Sequence, residues 1–110
     1  MDKNNMLSTT LDDYNNLINS KENTYELITL GTIFLDDVVK LWGSIRNRRY
    51  VDVDIPKNLY RHVGYAKDHI SRLMTTYPSD IPVIRRMLFK EADKLYKIVL
   101  EIKDKYFNEQ

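Results

Sequence analysis

The amino-acid sequence predicts an all-α fold, an up-down antiparallel helical bundle with one short N-terminal helix and three longer ones. Three observations predict it. Apolar residues recur at alternating steps of three and four along most of the chain. Helix start and stop signals fall between these runs, and three Gly and three Pro among 110 residues leave little room for loops. The pattern is clearest from Leu27 to Ile45, where Leu27, Leu30, Phe34, Val38, Leu41 and Ile45 form one stripe that Trp42 widens. This stretch reads as the central core helix.

The elements follow in order. Residues 1–8 are polar and read as a flexible N-terminus. Thr9 or Thr10 then caps a helix of about three turns with Leu11, Tyr14, Leu17 and Ile18 on one face, too short to persist undocked. Asn19 to Glu22 is the first turn, and Asn23 followed by Glu26 reads as a capping box that opens the central helix. That helix closes on Arg46, Asn47, Arg48 and Arg49, cations at the negative end of its dipole. Tyr50 to Ile55 alternates apolar and acidic residues, but a lone strand has nothing to pair with, so an extended linker is expected.

Two further helices open on Asp54-Ile55-Pro56 and Asp80-Ile81-Pro82, with Asp as the cap and Pro in the first turn, where its missing N–H costs nothing. The first of them carries Leu59, Val63, Ala66, Ile70, Leu73 and Tyr77 and is stopped by Pro78. The second carries Ile81, Ile84, Leu88, Ala92, Leu95, Val99, Ile102 and Tyr106 over about 25 residues. Gly31, Gly43 and Gly64 stand alone within helices, and each is read as a point of close helix approach. Short connections make sequential helices antiparallel neighbours. The expected organisation is a single domain over 9–107 with a tail at 108–110. A short first helix leaves part of the last one uncovered, so a homodimer is a further expectation.

Composition narrows the function. A hydrophobic fraction of 43% and a charged fraction of 30% are those of a soluble globular domain. The absence of Cys removes disulfides, thiolate nucleophiles and Cys-ligated metals. No leader and no apolar run of membrane-spanning length is present in the sequence, so a cytoplasmic location is expected. Net charge is +1, which argues against a generic polyanion binder. The charge is unevenly spread: Lys3, Lys21 and Lys40 face seven carboxylates within residues 1–40, a local balance of −4 that leaves +5 for the remainder. The richness in Asn, Lys, Asp, Ile and Tyr matches AT-rich coding and points to a low-GC bacterium, its phage or a mobile element.

The most suggestive constellation is basic. Arg46, Arg48, Arg49 and Tyr50 close the central helix, and antiparallel packing brings Lys57, Arg61, His62, Lys103 and Lys105 to the same end. Arg and Tyr are favoured anchors for a partner protein with an acidic surface. The same groups grip phosphates, but a nearly neutral domain ranks nucleic acid below protein as a partner. Arg85 and Arg86 stand at the positive end of the last helix's dipole, against the local rule, which a partner's carboxylates or Asp80 would explain. Tyr25, Tyr60, Tyr65 and Tyr96 fall off the main stripes, an interface-like composition beside Arg.

Other candidates read as structural. His62 and His69 are seven residues apart, about 10 Å along a helix and too far to share one metal, so both are placed at the core edge. Asp36 and Asp37 lie off the stripe and are read as solvated partners of Lys40. No phosphate-cradling glycine loop and no GxSxG elbow occurs. The expectation is therefore a non-enzyme without catalytic residues, metal or cofactor, acting as a small inhibitor or accessory factor through Arg46, Arg48, Arg49, Tyr50, Lys57, Arg61, Arg85 and Arg86.

In size and predicted bundle the chain resembles the bacteriocin immunity proteins, which are small cytoplasmic helical bundles, and that resemblance implies protection of a host from a toxin. Arg46-Asn47-Arg48 resembles the RN-containing turn of helical HEPN-type ribonucleases. The Arg and His spacing of that family does not occur here, and no ribonuclease activity is expected.

Overall fold

The computed structural model describes residues 3–20, 23–45 and 53–107. Among these residues the chain forms four α-helices and no strand: α1 (Lys3–Ile18), α2 (Thr24–Gly43), α3 (Asp54–Thr75) and α4 (Ile81–Ile102). A 3₁₀ turn, Pro78–Asp80, precedes α4, and a π-helical turn, Lys103–Phe107, continues it. Sequential helices are antiparallel neighbours, α4 also touches α1 and α2, and the most extensive packing joins α3 to α4. This is the up-down bundle that the periodicity predicts, with α1 its shortest helix. None of the helices described is long and apolar enough to cross a membrane.

Leu27, Phe34, Val38 and Leu41 of α2 are buried, as the stripe requires, and Leu35 and Trp42 are buried beside them. Leu30 is only half-buried. Asn23 caps α2, its side-chain carbonyl accepting from the Glu26 backbone N–H at 3.2 Å. Gly31 is the close approach that the sequence implies, since a Cβ there would stand 3.0 Å from Ile70 Cδ1. At Gly43 and Gly64 a Cβ would meet nothing within 4 Å among the described residues, so neither marks a contact between the helices described.

Four boundaries differ from expectation. α2 ends at Gly43 with Ser44 as its C-cap, short of Ile45 and of the arginines expected to close it. α1 begins at Lys3, so residues 3–8 are helical, with Met6 and Leu7 packed on the core. Thr10 is no cap. It lies fully buried in mid-helix, its hydroxyl donating back to the Met6 carbonyl at 2.7 Å, a local bond that satisfies Thr without ending the helix. Asp54 is the first residue of α3, whose N-cap is Val53, whereas Asp80 is the N-cap of α4 as expected, though its side chain makes no cap bond. Tyr77 leaves the core at 78% exposure, because Pro78 forces the residue before it into extended backbone and α3 has ended at Thr75. The turn at 21–22, the linker between 46 and 52 and the tail at 108–110 lie outside the described residues.

Candidate functional site

The amphipathic pattern of α3 fixes two faces. Ile55, Leu59, Val63, Ala66, Ile70 and Leu73 enter the core, which leaves Lys57, Tyr60, Arg61, Gly64, Tyr65, Lys67 and Asp68 outside. Tyr60 and Tyr65 are each 51% exposed, large rings only partly covered. Lys57, Arg61 and Lys67 make no ion pair among the described residues, whereas Asp68 is held by Arg72 at 3.2 Å. The outer face of α3 is therefore basic and aromatic around an open glycine, and its three cations lack ion pairs among the described residues.

The eight residues named from sequence do not form one cluster. Arg46, Arg48, Arg49 and Tyr50 lie outside the described residues. Lys57 and Arg61 share the outer face of α3. His62 of α3 contacts Glu91 of α4, and that antiparallel register sets Arg86 level with Lys67, about 15 Å along the axis from Lys57.

Arg85 turns inward. Its Nη2 donates to the Ser20 carbonyl at 3.2 Å, and its guanidinium lies 4.7 Å from the centroid of the Phe89 ring. The cation thus serves the carbonyl end that follows α1, which explains an Arg in the first turns of α4 without a partner's carboxylate. Its Nε is enclosed and has no acceptor among the described residues. Arg86 is exposed beside Val83, Met87 and Lys90, around a shallow apolar recess on α4.

Two titratable groups, Glu91 and Asp13, escaped the sequence reading. Glu91 is buried at 8% exposure, with Oε1 2.7 Å from His62 Nδ1 and Oε2 3.6 Å from Lys94 Nζ, while Tyr65 meets the His62 ring edge-on at 5.8 Å. Its signal was present: Ile84, Leu88, Glu91, Leu95, Ile98 and Ile102 alternate four and three, so the carboxylate occupies a core position of that stripe. Asp13 of α1 and Asp37 of α2 face each other, which corrects the solvated reading of Asp37; Asp36 is exposed, and neither pairs with Lys40 among the described residues. Burial, and then the Asp37 carboxylate beside it, pushes the Asp13 carboxyl from 3.8 up to about 7. Protonation of Asp13 removes the repulsion between the two carboxylates.

His69 is buried with its Nδ1 unpaired among the described residues. On the other side of α4, Tyr14 stacks on Tyr96 with centroids 4.1 Å apart and donates to Asp93. Burial and that bond raise its phenol to about 12. No group of three or more His, Asp or Glu able to hold a metal occurs among the described residues.

Fold and surface together define an all-α four-helix protein with a basic, tyrosine-bearing helix face. Compared with protein-family models, with curated proteins and with solved structures, the chain matches none.

Proposed function

We propose that the protein acts without catalysis, by binding another protein through the outer face of α3. The observation that carries this is Tyr60 and Tyr65, each 51% exposed on a helix whose Lys57, Arg61 and Lys67 lack ion pairs among the described residues. Tyr and Arg supply much contact area for little conformational entropy, and charge of one sign selects a partner of the other. The partner's surface is acidic. Size, composition and an unabsorbed binding face support a small cytoplasmic inhibitor or accessory factor of the kind carried by phages and mobile elements. A net charge of only +1 over the whole chain favours protein over nucleic acid as the partner.

The test is affinity capture from lysate at low and moderate salt, comparing the natural chain with a Lys57→Glu, Arg61→Glu variant. The reading expects a protein that survives moderate salt and is lost with the variant. Retention of nucleic acid alone, released as salt rises, would replace it with a nucleic-acid-binding regulator.

A further inference from the structure

Gly64 meets no contact among the described residues that accounts for a glycine. It stands midway along the 22-residue α3, no non-Gly or Gly residue described has a positive φ, and a Cβ added there would meet nothing within 4 Å. Neither backbone conformation nor internal packing asks for glycine. Gly31 makes the contrast, because there Ile70 fills the space that a side chain would take. The missing side chain at Gly64 leaves a notch on the exposed side of the helix.

The surroundings of the notch have a definite chemistry. Tyr60 stands one turn before it and Tyr65 beside it, both half exposed. Lys57, Arg61 and Lys67 frame the rings without ion pairs among the described residues; Asp68, one turn after the notch, is held by Arg72, and Asp36 of α2 lines the recess beside Lys67 at the edge of this face. Small residues let helix backbones approach closely, flanking rings then cover the crossing point, and excess positive charge at the edge calls for carboxylates opposite.

We infer that α3 docks an acidic amphipathic helix of another protein, which crosses at Gly64 between Tyr60 and Tyr65 and sets its carboxylates against Lys57, Arg61 and Lys67. This rests on the protein-binding reading and adds what the bound element is. A second copy of the chain meeting this face symmetrically would set cation against cation, which is why the occupant is a different chain.

The experiment sorts a phage-displayed library of helix-forming peptides on the full chain, then measures the selected peptides against Gly64→Leu and Gly64→Ala variants. Leu at an open helix position keeps the fold, and a thermal melt at or above that of the natural chain establishes it. The expected result is enrichment of acidic peptides with Gly, Ala or Ser at one helical position, bound roughly tenfold or more weakly by Gly64→Leu and much less affected by Gly64→Ala. No enrichment, enrichment of sequences without acidic bias, or equal binding to Gly64→Leu overturns the inference. A light-scattering mass of a dimer that Gly64→Leu dissociates also overturns it, in favour of a second copy. A protein captured from lysate through Tyr60 and Tyr65 whose binding ignores Gly64→Leu removes the helix crossing and leaves the protein-binding reading standing, whereas capture of nucleic acid alone removes that reading itself.

Discussion

Nδ1 of His62 on α3 lies 2.7 Å from Oε1 of Glu91 on α4, and this pair sets the register of the most extensive helix interface in the bundle. Glu91 occupies a position whose neighbours on the stripe are Leu88 and Leu95, so it trades apolar contact for a bond that only one alignment of the two helices permits. Such a group specifies arrangement more than it stabilises.

Removing one partner is therefore costly and removing both is not. His62→Ala leaves the Glu91 carboxylate with Lys94 alone and lowers stability by about 2 kcal/mol, while His62→Leu with Glu91→Leu recovers most of that loss. Urea denaturation of the single and double variants checks both values.

Asp13 makes stability depend on pH. Its carboxyl titrates near 7 in the folded chain against 3.8 as an isolated group, so between these values the native state holds a proton that the unfolded chain has released. Stability from this site is greatest at low pH and falls as pH rises from about 4 to about 7. Asp13→Asn flattens that part of the profile and raises stability at about pH 8, read from thermal melts across the range.

The two mid-helix glycines respond oppositely to a side chain. Gly64→Ala gains about 0.5–1 kcal/mol, because it restricts the unfolded chain and meets open space. Gly31→Leu collides with Ile70 and Leu88 and loses about 2 kcal/mol or more. Chemical denaturation separates them.

The adjacent arginines also divide. Arg85→Ala forfeits the bond to the Ser20 carbonyl and the stacking on Phe89, a loss of about 1 kcal/mol. Arg86→Ala, exposed and without an ion pair among the described residues, stays within about 0.5 kcal/mol of the natural chain.

What was legible in the sequence was what local periodicity encodes. The stripes of α2, α3 and α4 and the Asn23 cap come from spacing within one helix, and they appear as read, apart from the half-buried Leu30, Ile81 and Tyr106, the exposed Tyr77, and Ile45, which is buried but lies beyond the end of α2. Thr10 misled because a hydroxyl that caps in one backbone context bonds back to a carbonyl in another, and only burial against α2 selects between them. Asp37 and Arg85 depend on what a different helix places opposite them: Asp13 in one case, the Ser20 carbonyl in the other. A single strand of sequence carries no record of such pairs. Gly43 and Gly64 were read as points of helix contact, and among the described residues neither meets one, because spacing within a helix does not say what lies opposite.

The central claim is that the outer face of α3 binds a protein, and site-directed photo-crosslinking tests it most directly. A benzoylphenylalanine introduced at Tyr60 or Tyr65, with a control at Asn16 on the exposed side of α1, is irradiated in host lysate at moderate salt. The account predicts one discrete protein adduct from both α3 positions and none from Asn16, lost when Lys57 and Arg61 are reversed to Glu. Adducts that form equally from Asn16, or only to nucleic acid, would contradict it.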